Sequence, residues 1–155
     1  MMTEENKKSD SLISLFETKK SLTITLLRAR ESLMMSFRPL LAKHNFTEQQ
    51  WRVLRVLGEK GPCDAGQLAT EACILSPSLS RIINTLIENN FIIKKEDKLD
   101  KRKIILEISD DGKIKLESIK PEYLAILKSI QKRYGEDKIN KILNLLTEII
   151  DWRYR

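Results

Sequence analysis

The sequence contains little of what most catalytic and metal-binding sites require. It has one histidine and two cysteines in 155 residues, too few for a histidine metal site or a disulfide scaffold. No apolar run approaches the ~20 residues that cross a bilayer, and no signal-peptide pattern opens the chain. A glycine-rich phosphate loop and a nucleophile elbow are also missing. We therefore expect a cytoplasmic protein that is not an enzyme and that carries no cofactor or metal.

The two cysteines, Cys63 and Cys73, show no pairing pattern. Free cysteine behaves as a small hydrophobic residue, so buried or half-buried thiols are the simplest interpretation. The alternative is a thiol-based sensor, which requires an exposed thiol with a low pKa. The sequence leaves this alternative open.

Charge points towards an acidic partner. The formal net charge is +6 at pH 7, which favours nucleic acid, an anionic membrane surface or an acidic protein. A chain of this length is sufficient for one compact domain. Because many proteins are basic, the position of the charge matters more than its sum.

The two ends of the chain are predicted to be helical and unusually apolar. A helix from residue 21 to about residue 43 follows a mostly polar arm of residues 1–20, and a last helix runs from about residue 138 to residue 152. Apolar residues cover more than one face of both helices. Such a helix usually has two partners, one of which can be another chain.

The middle of the chain predicts three short helices followed by a β-hairpin. Thr47 with Gln50 forms a capping box before the first helix, and Asp64 caps the second. Ser76 is the predicted N-cap of the third helix, with Pro77 at its first helical position. The segments "FIIKKE" and "KIILEI" that follow are predicted to be short strands, and apolar residues alternate in the second. This order is the plan of a winged helix-turn-helix, so the fold is expected to be mainly α with a small β-hairpin wing.

The third helix carries the pattern of a DNA-recognition helix. Its aliphatic residues form one stripe, which leaves a polar face of small side chains and one arginine. Small side chains allow close approach to the major groove, and an arginine can bind guanine bidentately. The candidate DNA contacts on this helix are Ser76, Pro77, Ser78, Arg81, Asn84 and Thr85. The alternative for Arg81 is an ordinary solvated position.

The hairpin tip adds a basic cluster. Residues 94–103 contain six basic and three acidic residues, and Lys98, Lys101 and Arg102 are candidate DNA contacts. An arginine at such a tip is well placed for the minor groove beside a helix in the major groove. Asp100 is expected to pair with Arg102 and orient the tip. A basic tip alone is also consistent with a soluble turn.

The segment "LDKRKIILEISDDG" resembles the wing signature of the MarR family of bacterial transcription regulators. Asp100, Arg102 and Gly112 match that signature, whereas Ile108 and Ser109 stand where Leu-Thr is usual. "LSPSLSRIINTLIENNFI" is similar to the recognition helix of the family. "LLRARESLMMSFRPLLAKHNFTEQQWRVLRVL" resembles the subgroup that represses operons for aromatic-acid breakdown, such as homoprotocatechuate or hydroxycinnamate.

This resemblance implies a homodimeric repressor that binds a pseudo-palindromic operator in double-stranded DNA and is released by a small aromatic acid. It places the helix-turn-helix and wing at residues 47–108. It assigns residues 21–46 and 109–155 to a helical dimerisation region. A MarR-type regulator of drug or stress responses and a winged-helix module for protein contacts are the alternatives.

The candidate effector-binding residues are Arg30, Arg38, His44 and Trp51. An arginine facing the pocket implied by the resemblance can bind a carboxylate bidentately, but a solvent-facing or dimer ion-pair arginine fits equally. His44 is also interpretable as an ordinary residue at a helix end. Trp51 is also interpretable as a core residue, although an aromatic ring near a pocket can stack on an aromatic ligand.

Overall fold

The computed structural model describes residues 17–97, 100 and 102–152. The helices in these residues are α1 (Leu22–Lys43), α2 (Glu48–Lys60), α3 (Ala65–Ala72), α4 (Ser76–Glu88), α5 (Asp110–Tyr134) and α6 (Glu136–Trp152). The strands are β1 (Cys63–Asp64), β2 (Ile92–Glu96) and β3 (Ile104–Ile108). The chain divides into two units after Pro39, so α1 begins in the first unit and ends in the second. The mainly α fold with a small wing is confirmed.

Short polar side chains start three of the helices. The Thr47 hydroxyl accepts a hydrogen bond from the Gln50 N–H at 3.1 Å, and the Gln50 side chain accepts one from the Thr47 N–H at 2.9 Å. Asp64 accepts a bond from the Gln67 N–H at 2.9 Å. Ser109 caps α5 in the same way. Each cap satisfies an N–H that the helix itself leaves unpaired.

The predicted start of α4 is wrong by one residue. Leu75, not Ser76, is the N-cap, and its side chain makes no capping hydrogen bond. The Leu75 carbonyl accepts bonds from the N–H groups of Ser78 and Leu79, both at 3.0 Å, and this draws Ser76 into the first helical position. Pro77 therefore occupies the second position. A helix that lacks a side-chain cap is less stable by about 1 kcal/mol.

A core of aliphatic residues holds the helices and the wing of the second unit together. The buried stripe of α4 consists of Leu79, Ile82, Ile83 and Leu86, as predicted. Facing positions in the other elements are also buried: Val53, Leu54, Leu57, Leu68, Ile92, Leu106, Ile108 and Ile119. Because a fully buried aliphatic side chain contributes about 1.5–3 kcal/mol, this stripe determines which face of α4 stays in solvent.

The sheet has one strand more than the sequence predicts. Strand β3 lies between β1 and β2, and both pairings are antiparallel. Strand β1 pairs Cys63 with Leu106 and Asp64 with Ile105. Only Ile92 of β2 is buried, so the distal part of the hairpin projects into solvent. The additional strand, β1, anchors the base of the wing beside the start of α3.

Candidate nucleic-acid interface

The recognition helix α4 presents the predicted polar face to solvent. Ser76, Pro77, Ser78, Arg81 and Asn84 are exposed. They occupy the face opposite the buried stripe. This single face joins hydroxyl donors, an amide and one cation, which are the groups that bind base edges and phosphates.

Thr85 differs from the other candidates on this face. It is half-buried, and its hydroxyl donates to the Arg81 carbonyl at 3.2 Å. Ser80 similarly donates to the Ser76 carbonyl, at 3.4 Å. The Thr85 hydroxyl is therefore engaged within α4, and the side chains nearer the N-terminus are better placed for DNA.

The wing tip is organised by two aspartates. Asp97 accepts a hydrogen bond from the Asp100 N–H at 3.0 Å. Asp100 Oδ1 accepts two bonds at 3.1 Å, one from the Arg102 N–H and one from Arg102 Nε. The predicted pairing of Asp100 with Arg102 is thus confirmed. An exposed ion pair contributes only ~0–1 kcal/mol to stability. Its main effect is therefore to orient the Arg102 side chain.

Arg102 is the prominent cation of the tip. Its side chain is 91% exposed, while that of Asp100 is 34% exposed. Lys94 and Lys103 are exposed as well, and Lys95 pairs with Glu107 across the two strands. Lys98 and Lys101, two predicted DNA contacts, lie outside the described residues, as do residues 1–16 of the predicted arm. The described part of the wing suits a phosphate-lined groove.

A second cluster, in the aromatic core, has the chemistry of a ligand site. Trp51 is buried, with its ring 6.0 Å from that of Phe46 and 5.6 Å from that of Tyr123. The Arg55 guanidinium lies 5.3 Å from the Tyr123 ring centre and donates to its hydroxyl at 3.3 Å. Within the described residues, Trp51 Nε1 has no acceptor. An unmatched buried donor costs about 1–3 kcal/mol, which is a reason to expect an acceptor there.

Sequence reasoning named Trp51 as a candidate but not Arg55 or Tyr123, which lie in the same cluster. Arg55 follows Trp51 by four residues on α2, a spacing that puts both on one helix face. The sequence alone could therefore have indicated that Arg55 lies beside Trp51. Tyr123 comes from α5, 68 residues away from Arg55. No local pattern brings such a residue to the site.

The other candidate effector residues already have partners. Arg30 and Arg38, in the first unit, both pair with Glu31. His44, in the second unit, lies 3.1 Å from Glu122, which also binds Lys43 at 2.8 Å. The hydrogen bonds from Lys43 and then His44 lower the pKa of Glu122. The structure therefore groups these residues into two ion-pair clusters.

The two cysteines differ in exposure, and Cys63 lacks the features expected of the thiol-based sensor considered above. Cys63 is half-buried, and burial, with the charges of Asp64 and Glu71, raises the pKa of its thiol. A raised pKa disfavours the reactive thiolate. Cys73 is exposed, so the expectation that it is at least half-buried is wrong. It occupies the left-handed position that ends α3.

Comparison with known proteins identifies the family. Residues 46–104 match the MarR family. The chain is 36% identical to the HTH-type transcriptional regulator FarR of Neisseria gonorrhoeae, over 83% of this chain and 88% of FarR. It is 35% identical to the homoprotocatechuate degradative operon repressor of Escherichia coli, over 84% of this chain and 88% of that repressor. The crystal structure of NadR in complex with 4-hydroxyphenylacetate is 36% identical, with a TM-score of 0.76, over 83% of this chain and 92% of that chain. The chain belongs to the MarR family.

This MarR-family protein is a DNA-binding transcriptional regulator, and the family resemblance drawn from the sequence is confirmed. In the described part of the chain, His, Cys, Asp and Glu residues form no group suited to a metal ion. None of the described helices combines the length and the hydrophobicity that crossing a bilayer requires.

Replacing Arg102 with alanine in this MarR-family regulator is expected to weaken DNA binding at all sequences to a similar degree. A phosphate contact supplies charge rather than base discrimination, so the salt slope of log K should become less steep by about 1 for each wing that contacts DNA. Titration of labelled duplex at four salt concentrations measures the slope. The companion variant Asp100→Asn keeps the cation but weakens its anchor, so its slope should stay near that of the wild type. An unchanged affinity of Arg102→Ala would show that the wing does not contact DNA.

Proposed function

We propose that this MarR-family protein is a homodimeric repressor of an operon for aromatic-acid breakdown. In this proposal it binds a pseudo-palindromic operator in the cytoplasm, and a small aromatic carboxylate releases it. The observation that carries the effector assignment is the unmatched Trp51 Nε1–H in an aromatic cluster beside Arg55. The names of two relatives support it: one is a repressor of a homoprotocatechuate operon, and NadR was solved with 4-hydroxyphenylacetate.

The cluster suits an aromatic acid in two ways. The half-buried ring of Tyr123 can stack on an aromatic ligand, and an indole N–H together with a guanidinium can bind a carboxylate by charge-assisted bonds. Arg55 is partly held by Glu59, at 2.7 Å, so a ligand carboxylate competes with Glu59 for the guanidinium. A neutral analogue gains less binding energy when it replaces Glu59 at the Arg55 guanidinium. The site should therefore discriminate carboxylates from the corresponding amides.

Apolar surface supports the dimer. Helices α5 and α6 expose a series of large apolar side chains: Ile114, Leu124, Leu127, Tyr134, Ile142, Leu143, Leu145, Ile149 and Ile150. Apolar surface on this scale usually belongs to an interface. We assign α5 and α6, together with residues 21–46, to the dimerisation region. Residues 47–108 form the DNA-binding region of each subunit.

Gel retardation with duplexes from the promoter region of its own gene tests the repressor function. The wild-type protein should retard one such duplex at low salt, and its affinity for that duplex should fall steeply as the salt concentration increases. Release should follow addition of phenolic and phenylacetic acids but not of their amides, and a tenfold change in affinity corresponds to ~1.4 kcal/mol of coupling. Retardation of no promoter duplex would favour the winged-helix module for protein contacts. Release by neutral drug-like phenols alone would favour a drug or stress regulator.

Trp51→Phe is expected to weaken binding of the aromatic acid by about 10- to 150-fold. This range corresponds to loss of a hydrogen bond to a charged group, ~1.5–3 kcal/mol, while the phenyl ring preserves an aromatic surface. Operator binding without ligand should change by less than about threefold. Calorimetric titration of the acid into both proteins measures the difference.

The matching amide is the control for this variant. Wild-type protein and Trp51→Phe should bind the amide with similar, weak affinity, since neither gains the charge-assisted bond. Thermal unfolding verifies that the variant is folded. Equal affinity of both proteins for the acid would contradict the assignment of the carboxylate to Trp51.

A further inference from the structure

The turn between α3 and α4 is an unusual connection. Cys73 adopts a left-handed conformation with φ 49°. Its N–H donates to the Thr70 carbonyl at 3.2 Å, and the Ile74 N–H donates to the Ala69 carbonyl at 3.0 Å. These two bonds form a Schellman motif, in which the left-handed position is usually glycine. A side chain with Cβ is strained there, so the turn depends on further support.

Arg52 of α2 supplies that support. Its Nη1 donates to the Ala72 carbonyl at 2.9 Å and to the Cys73 carbonyl at 3.3 Å. The Schellman bonds use the carbonyls of Ala69 and Thr70, whereas Arg52 binds the carbonyls of Ala72, the last residue of α3, and of Cys73 in the turn. The C-terminus of a helix carries negative partial charge, which favours a guanidinium at this point.

We propose that Arg52 is a positioning residue for DNA recognition, an inference that rests on the proposed role of α4 as the DNA-reading helix. The two bonds from Arg52 fix the turn immediately before Leu75, the N-cap of α4, while the buried Ile74 fixes its inner side. Base readout needs α4 in one orientation, because bidentate hydrogen bonds tolerate little rotation. Phosphate attraction tolerates much more. Loss of Arg52 should therefore reduce specificity before it reduces general affinity for DNA.

The test compares Arg52→Met with Lys60→Met as a matched control. Lys60 also lies on α2 and also reaches α3, where it pairs with Glu71 at 2.7 Å, but this pair does not involve the turn. Both variants lose one positive charge and one link between α2 and α3. Dissociation constants are measured for the operator duplex and for a scrambled duplex of equal length and composition.

Arg52→Met should lower operator affinity at least tenfold and change affinity for the scrambled duplex less than about threefold. Lys60→Met should change neither by more than about threefold. In hydrogen exchange, the hydrogen-bonded amides of residues 73, 74, 78 and 79 should exchange faster in Arg52→Met and at the wild-type rate in Lys60→Met. If Arg52→Met does not fold, Arg52→Lys takes its place, since lysine retains the charge but its stem reaches the nitrogen through one bond fewer than arginine needs to reach Nη1; operator affinity should then fall at least threefold.

Equal losses on both duplexes would overturn the proposal, because they would make Arg52 a phosphate contact or a general stability determinant. Unchanged operator affinity in either Arg52 variant would overturn it as well. Both results require wild-type protein that binds its operator. Failure of the wild type to bind any promoter duplex is a separate outcome that contradicts the proposed repressor function itself.

Discussion

Replacing Arg81 with alanine is expected to lower operator affinity by about 5- to 150-fold for each half-site contacted. The range corresponds to ~1–3 kcal/mol for a bidentate arginine–guanine contact. Arg81 is exposed on the polar face of α4, beyond Ser76 and Ser78, where a long side chain reaches a base edge. Preference for guanine at one position in each half-site should disappear, which binding to a set of single-base operator variants measures directly.

Arg81→Lys is the control that separates base readout from phosphate attraction. Lysine retains the charge but lacks the planar fork that recognises guanine. If Arg81 reads a base, the lysine variant should lose most of the discrimination at that position while keeping much of the affinity for unrelated DNA. A lysine variant that retains wild-type discrimination would show that Arg81 contacts the phosphate backbone instead.

Periodicity and capping chemistry made much of the fold predictable. The aliphatic stripe of α4 assigned one face to the core and the opposite face to solvent, and burial follows that division. Thr47 and Asp64 cap the helices that the sequence assigned to them, because an N-cap involves only residues three apart. The pairing of Asp100 with Arg102 was predictable for the same reason. Interactions within a few residues leave a signature in the sequence itself.

Features that depend on distant residues were not predictable in this way. Strand β1 has two residues and exists because Cys63 and Asp64 pair with β3, more than forty positions later. Tyr123 joins Arg55 only after α5 packs on α2. The start of α4 shifted by one residue because the Leu75 carbonyl, rather than the Ser76 side chain, accepts the first bonds. Backbone geometry decided that boundary, and the side chains of Leu75 and Ser76 do not encode it.

Gly112→Ala is expected to destabilise the protein by about 3 kcal/mol or more. A Cβ at this position would lie 2.3 Å from the Phe91 carbonyl oxygen and 2.7 Å from Ile108 Cγ1. The first of these atoms belongs to the backbone and cannot move aside without displacing the start of the wing, so overpacking exceeds the ~0.5–1 kcal/mol that alanine gains in a helix. For a chain of this size the loss corresponds to a decrease of about 6–12 °C in Tm, measured at fixed protein concentration because the proposed dimerisation would also contribute to stability.

Gly58→Ala is the matched control for this prediction. Gly58 also lies within a helix, but its Cβ would meet only the ends of side chains, Leu116 Cδ1 at 2.6 Å and Ile108 Cδ1 at 3.7 Å. A leucine methyl can rotate away, so the gain in helix propensity and the cost of repacking should nearly cancel, within about 1 kcal/mol. Similar Tm values for Gly112→Ala and the wild type would mean that α5 can move away from residue 91. The close approach between Gly112 of α5 and the Phe91 carbonyl would then not restrict the position of the hairpin.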